Sequence, residues 1–396
     1  MKTKLLLLCC ITFLLCGCWN YNELNQIAIV TALGIDSDEE SNTYKVSAMI
    51  SNAHSTQSNT KEGQSQTVII EGKGHTISEA LNDIDLQSPK QIYLSSLNVI
   101  IFSEDVAKNG VNKIADFLMR EPESRKKFYL LVTQDEKASD VLQILSPLEA
   151  LPSQNIASNI IEATNYQAMI ADINYSDFIR TLIEPGKQPI LSSIKISGDK
   201  KDGSKYNNLE QSKPAASIKL SNLAIFKEDV LQGFADKTES EGINLISNET
   251  KRITIEAKCD NDYMVAELNH PNNTITVSLN DNEPTVKMTL TSKGNITEMG
   301  CNLDLRDPKT IDDITKRFEK NTADIMNAGI KMAQKKYKSD ILGIGRKFQK
   351  SYPKYFQEHQ KNWDDEIFSK LKIQVFVDLD LETKGSLEQS IRKEES

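Results

Sequence analysis

A short apolar run near the first residue constrains this chain more than any other stretch. Lys2 and Lys4 precede an eleven-residue apolar segment, which ends in the sequence Leu15, Cys16, Gly17, Cys18. The run is too short to cross a bilayer, which takes about 20 apolar residues, and it has the length of a signal-peptide core. Leucine, a small residue, glycine and cysteine in this order form a lipobox. The sequence therefore predicts a signal peptide over residues 1–17 and a diacylglycerol on the Cys18 sulfur.

The alternative is an ordinary secretory signal with two stray cysteines, cut elsewhere. The lipobox is favoured because Cys18 ends the apolar run at the expected place. Two acyl chains, at about 0.8 kcal/mol per buried CH₂, hold a protein on a membrane. No later stretch approaches 18 consecutive apolar residues, so the lipid is the predicted attachment.

The charge of the exported chain argues against nucleic acid as a partner. The net charge of −9 becomes −11 once Lys2 and Lys4 leave with the signal peptide. An acidic protein is repelled by phosphates and by anionic lipid headgroups alike. We therefore expect the surface to stand off the lipid unless a protein partner holds it there.

Three cysteines remain after removal of residues 1–17, and two of them lie in strand-like segments. Cys259 and Cys301 are outside the membrane in the predicted topology, where a disulfide persists. A disulfide and two buried thiols are equally compatible with the sequence, because Cα separation cannot be read from it. Three cysteines form neither a disulfide framework nor a zinc site.

The order of the predicted elements indicates an α+β fold with several domains. The chain has 379 residues after residue 17, which is more than a single hydrophobic core usually supports, so two or three domains are expected. In residues 18–197, strands alternate with helices, which predicts a layered α/β domain or two such subdomains. Residues 198–213 hold almost no apolar side chain and are predicted to be a linker. Residues 214–396 begin with strands and continue with helices, which indicates a second, α+β domain.

Local signals fix several elements within these halves. Residues 25–36 are apolar on both faces, as in a covered central strand. Gly110 weakens a helix predicted over residues 103–119 and is placed to break it. Asp307 and Pro308 favour the start of a long helix, as N-cap and first residue. Alternating apolar residues over 371–381 predict a closing strand.

The search for catalytic or metal chemistry finds little. Residues 198–205 resemble a phosphate loop, but lysine and serine are reversed and no helix is predicted to follow. Four histidines are scattered without an i, i+4 pair, and no Gly-x-Ser-x-Gly elbow occurs. We therefore predict no catalytic residues, no metal site and no cofactor beyond the lipid.

Aromatic and basic residues are concentrated in residues 337–368, a stretch we call the aromatic segment. Seven aromatic side chains occur there in a chain with only 6% aromatics, and six lysines or arginines lie between them. Such a mixture suits a small subdomain core with solvated lysines, or a surface that binds nucleic acid, a partner protein or an anionic membrane. The core interpretation is favoured, and the candidate residues are Asp340, Gly343, Gly345, Tyr352 and Trp363.

Three stretches together resemble the Ger(x)C family, the lipoprotein C subunits of spore nutrient-germinant receptors. The first is Cys18-Trp19, Glu23-Leu24 and residues 27–36, and the second is residues 97–104 with 116–125. The third comprises residues 338–345, Tyr352-Pro353, Asn362-Trp363 and the strand 375–381. The resemblance covers essentially the whole chain after residue 17.

The resemblance implies a non-enzymatic, lipid-anchored subunit on the outer face of the spore inner membrane. Its partners would be integral-membrane A-type and B-type subunits, and its body a multidomain α+β fold. A solute-binding lipoprotein that captures the germinant itself is the alternative. A lipoprotein enzyme such as a cell-wall hydrolase ranks third, because the sequence lacks the required patterns.

Overall fold

The structure of the protein is a computed structural model. It describes residues 25–38, 40–52, 66–122, 125–149, 151–259, 262–301, 303 and 307–383. Two β-sheets organise these residues, one of nine strands and one of four. Helices and strands are mixed in both halves, which confirms the predicted multidomain α+β class.

The first sheet has the strand order β3-β2-β1-β5-β6-β7-β8-β9, with β4 pairing to β1. Strands β1, β5, β6 and β7 run parallel, whereas β2, β3, β8 and β9 form antiparallel pairs at the two sides. The strands are β1 (Ile27–Asp38), β2 (Thr43–Ser51), β3 (Thr67–Gly74), β4 (Gln91–Tyr93), β5 (Val99–Phe102), β6 (Tyr129–Thr133), β7 (Ile190–Gly198), β8 (Ala216–Lys227) and β9 (Val230–Phe234).

Helices cover both faces of this sheet. On one face are α1 (Ile77–Gln87), α2 (Glu104–Lys108), α3 (Asn112–Arg120) and α6 (Tyr175–Ile183). On the other are α4 (Ala138–Gln143) and α5 (Pro152–Tyr166). Strand β1 is therefore buried on both sides, as its two-sided apolar pattern predicts. The break at Gly110 is confirmed, since α2 ends before this residue, whose φ is +93°, and α3 begins after it.

The second sheet has the order β10-β11-β12-β13 and carries helices on one face. Its strands are β10 (Arg252–Cys259), β11 (Asp262–Asn280), β12 (Glu283–Met299) and β13 (Lys372–Thr383). The predicted closing strand is confirmed as β13, and it pairs parallel with β12. A parallel partner requires a long crossover connection, which residues 300–371 supply.

That crossover contains the long helix that the sequence predicts. Helix α10 (Pro308–Lys331) begins at Asp307, whose side chain accepts the N–H of Lys309, and it continues as a π-helical turn, Met332–Tyr337. It packs on α9 (Lys237–Ser247) and on strands β10 and β13. Two short helices follow, α11 (Ile344–Ser351) and α12 (Pro353–His359), and then three irregular helical turns over Gln360–Lys370.

The structure differs from the predicted linker at residues 198–213. This segment folds as α7 (Lys200–Gly203) and α8 (Asn207–Glu210), and Asn208 is its anchor. The buried Asn208 side chain donates to the carbonyls of Leu145 and Ala216, at 2.8 and 3.0 Å, and accepts the N–H of Ala216. The linker prediction rests on the absence of apolar side chains that could anchor this segment. The buried, hydrogen-bonded amide of Asn208 anchors it instead.

The sequence predicts that a separate domain begins at residue 214, but the first sheet continues beyond this residue. Strand β8 pairs with β7 over residues 190–198 and 216–225, so it extends the first sheet. The apolar core of the second sheet then continues to Ile190, Leu223 and Ile225 of the first. The chain therefore crosses from one sheet to the other after β9, not within residues 198–213.

Candidate functional site

The aromatic segment folds as a compact core. Trp363 is buried between two phenylalanine rings, with ring centroids 5.3 Å from Phe348 and 5.2 Å from Phe356. Phe368 is fully buried as well. Phe368 belongs to the same buried cluster as these three rings, and the interleaved lysines are exposed, which is the arrangement of a subdomain core.

Asp340 lies under this core with its carboxylate fully buried. Its Oδ2 accepts the N–H of Gly345 at 2.6 Å and the indole N–H of Trp363 at 2.8 Å. Its Oδ1 accepts the N–H of Ile344 at 3.1 Å. Two of these donors are the first N–H groups of α11, where the helix dipole favours a negative charge. Asp340 thus caps α11 and fixes the Trp363 ring with the same carboxylate.

Burial and hydrogen bonding act in opposite directions on this carboxylate. The pKa of Asp340 is raised from its usual 3.8 to about 6, chiefly because burial removes the hydration of the carboxylate, and the nearby Asp364 carboxylate acts in the same direction. The hydrogen bonds from Gly345, Trp363 and Ile344 lower the pKa but do not offset the lost hydration. The pKa of the Asp340 carboxyl therefore lies well above that of an ordinary aspartate.

A second layer of polar contacts ties Asp340 to the first sheet. Asp364 accepts the Asp340 N–H at 2.6 Å and the Gln188 side-chain N–H at 2.8 Å. Gln188 also donates its backbone N–H to the Asp340 carbonyl at 2.9 Å, and its side-chain oxygen accepts the N–H of Glu228 at 2.7 Å. The loop before β7, the turn after β8 and the aromatic segment are joined at one point.

Close backbone contact completes this arrangement. A Cβ on Gly345 would lie 2.7 Å from the Gly186 Cα and 2.9 Å from Trp363 Nε1, so only glycine fits there. Gly343 precedes α11 with φ of +72°, a conformation that favours glycine. We call the set Gly186, Gln188, Asp340, Gly345, Trp363 and Asp364 the Asp340 junction.

The structure brings four of the five candidate residues together and leaves one aside. Asp340, Gly343, Gly345 and Trp363 belong to or border the junction, whereas Tyr352 starts α12 and contacts Phe348 at a centroid distance of 5.9 Å. Sequence reasoning missed Gly186, Gln188 and Asp364. A proline–glycine pair after α6 marks a turn at Gly186, but Gln188 carries no pattern that would reveal its contacts.

A lysine with an unusual environment lies next to the junction. Lys187 runs alongside Gly343, and loss of hydration lowers the pKa of its ammonium, with Arg346 nearby acting in the same direction. Burial raises the pKa of the Glu249 carboxylate, which Lys187 counteracts. These shifts follow from burial of a mixed charge cluster and do not by themselves indicate catalysis.

A cleft of about 700 Å³ opens beside the junction, between α3, α6, the turn after β8 and the irregular turns after α12. Trp363 and Asp364 form part of its floor. Its lining includes Asp116, Met119, Ile183, Glu228, Asp229 and Lys361. We call this space the junction cleft.

The remaining predicted sites lie apart from the junction. Cys259 at the end of β10 and Cys301 after β12 are bonded to each other, with their Cα atoms 6.1 Å apart. Cys18 lies outside the described residues. Within the described part of the chain, no three histidine, cysteine or carboxylate side chains are grouped to hold a metal ion.

The fold and the Asp340 junction define a two-sheet α+β protein. Its aromatic segment connects the second sheet to the first through hydrogen bonds to the loop before β7. Residues 20–196 match the model of a spore germination protein N-terminal domain, and residues 221–385 match a spore germination B3/GerAC-like C-terminal domain. The chain therefore belongs to the GerAC, or Ger(x)C, family of spore germination proteins, as its motifs predict. It has a role in spore germination.

Individual relatives agree with this assignment. Spore germination protein KC of Bacillus subtilis is 25% identical over 367 residues, which cover 91% of this chain and 90% of that protein. Spore germination protein B3 of the same organism is 21% identical, with 90% of each chain covered. The crystal structure of the GerBC protein has the same fold, with a TM-score of 0.53 at 17% identity over 88% of this chain and 96% of that chain.

Proposed function

We propose that this protein is a lipid-anchored, non-catalytic subunit of a nutrient germinant receptor. It acts on the outer face of the spore inner membrane through contacts with integral-membrane A-type and B-type subunits. The acylated Cys18 holds it at the bilayer, and the folded body reaches the partners.

The observation that carries the proposal is the family match over both halves of the chain, behind a lipobox. About nine-tenths of the protein KC sequence is aligned, so the similarity is not confined to one module. Of the helices in the described residues, none is both long and apolar enough to cross a membrane.

The test is loss of the acylated sulfur in the full-length chain. Cys18→Ala removes the acceptor, and we expect release from the spore membrane together with impaired nutrient germination. Cys16→Ala is the matched control, because a small residue at this place keeps the lipobox and should change neither. Normal germination by a fully released Cys18→Ala protein would overturn the proposal.

A specific cavity favours the alternative, direct capture of the nutrient. About 820 Å³ lies at the carboxyl ends of β1 and β5, lined by Asp36, Asp38, Glu104, Asp105 and others. The chain leaves β1 for β2 on one side and later for β5 on the other, and open α/β sheets bind ligands at such a reversal. Calorimetric titration of the mature chain with nutrients tests this alternative. Saturable heat with a micromolar dissociation constant would support capture, and its absence would favour the receptor subunit.

A further inference from the structure

We propose that the junction cleft docks a basic, partly apolar polypeptide segment that an integral-membrane partner exposes next to the bilayer. This inference rests on the proposed function, because it takes Cys18 as the membrane tether. It adds the face of this protein that meets the partner and the chemistry of what binds there.

The position of the cleft in the first sheet supports a membrane-facing contact. Strand β8 runs antiparallel to β7. The turn after β8, which holds Glu228 and Asp229, therefore lies at the same end of the strands as the first residue of the parallel strand β1. Four strand spacings of about 4.8 Å place this turn about 19 Å from β1 across the sheet. The seven residues from Cys18 to Asn25 span at most about 25 Å, so this end of the first sheet lies close to the bilayer.

Two apolar side chains that line the cleft are exposed. Met119 on α3 is 48% exposed and Ile183 at the end of α6 is 66% exposed. Exposed apolar side chains above polar walls are typical of protein contact sites, where an apolar centre is ringed by polar groups. A purely charged ligand would leave both side chains in water.

The charges of the cleft favour a cationic occupant. Six carboxylates and three lysines line it. Arg120 and Arg346, from outside the cleft, pair with Asp116 and Glu184, and Lys227 pairs with Asp365. Glu228, at the tip of the turn, forms no ion pair with another described residue. Beside it, the Asp229 carboxylate accepts the N–H of Asn112 at the start of α3, and the Asp229 carbonyl accepts the N–H of Val111. An anionic lipid surface is repelled by this tip, whereas lysine or arginine of a polypeptide is attracted.

The experiment uses full-length, tethered protein in spore membranes with a photo-reactive phenylalanine analogue in place of Ile183. The cross-linked peptide is identified by mass spectrometry. We expect a segment of an integral-membrane protein that contains lysine or arginine beside apolar residues. Cross-links only to lipid, only to a second copy of this chain, or only to this chain itself would overturn the proposal.

Charge reversal tests the sign of the interaction. Glu228→Lys should reduce the cross-linked yield and the rate of nutrient germination roughly tenfold, as loss of one well-placed interface contact does. Lys361→Glu, within the same cleft, should leave both unchanged or raise them. If Lys361→Glu abolished the cross-link and Glu228→Lys did not, the occupant would be anionic and the inference wrong.

Ile161 and Glu162 provide the matched control. They lie on α5, on the opposite face of the first sheet, and Ile161 is 47% exposed. Ile161→Asn and Glu162→Lys should leave germination unchanged, whereas Ile183→Asn and Glu228→Lys slow it. If the cleft variants germinate normally while Cys18→Ala does not, the docking inference fails and the proposed function stands.

Discussion

The buried Asp340 carboxylate should make the stability of this protein depend on pH in a direction opposite to that of most carboxylates. The pKa of Asp340 is raised from 3.8 to about 6 by burial, so the folded protein binds this proton more tightly than the unfolded chain. A raised acid pKa contributes stability below pH about 3.8, and that contribution is lost as the pH rises through about 6. The whole shift corresponds to about 3 kcal/mol.

The perturbation that isolates this effect is Asp340→Asn, which keeps the shape of the side chain and removes the titration. Its amide oxygen still accepts two of the three hydrogen bonds, and its amide nitrogen faces the third donor, at a cost of about 1–3 kcal/mol. From about pH 4.5 to about pH 7.5, the stability of Asp340→Asn relative to the unchanged protein should rise by about 2 kcal/mol.

The assay is urea unfolding of both mature chains at the two pH values. Trp363 fluorescence reports on the junction directly, because its indole N–H donates to Asp340. Burial also raises the pKa of other carboxylates, including Asp36, Glu241 and Glu249, but these are common to both chains and cancel in the difference. A difference that does not change with pH would refute the reasoning.

Two further predictions concern the aromatic segment and the disulfide. Trp363→Ala should lower the free energy of unfolding by about 3–5 kcal/mol, because it empties a packed site between Phe348 and Phe356. Urea denaturation measures this loss. A variant that folds normally yet loses receptor assembly would instead show that Trp363 docks a partner. Reducing Cys259–Cys301, which closes a loop with a sequence separation of 42, should cost about 4 kcal/mol in the chain-entropy model. An unchanged urea midpoint after complete reduction of the disulfide to two thiols would contradict it.

Elements governed by local chemistry were predictable from the sequence. Asp307 and Pro308 start α10 because an N-cap oxygen and a fixed proline φ act within one turn. The break at Gly110 is local in the same way. The identity of the aromatic segment as a core was also predictable, because seven aromatic side chains in a short stretch need burial together.

Contacts between distant residues were not predictable. Gln188 meets Asp340 and Asp364 across more than 150 positions, and no spacing or periodicity in either segment indicates the pairing. The fold of residues 198–213 depends on Asn208, a polar residue whose burial is stabilised by partners on either side of it in sequence. The parallel placement of β13 likewise depends on the whole crossover that precedes it.

Strands β8 and β9 have a consequence for any attempt to dissect this protein. The two family domains match residues 20–196 and 221–385, which suggests a cut between them. Such a cut would remove β9 and most of β8 from the first sheet and leave β7 as a bare edge, ready to pair with another molecule. A fragment that ends at residue 234 would keep all nine strands of the first sheet. Expression of isolated halves should therefore follow the strand order and not the family boundary.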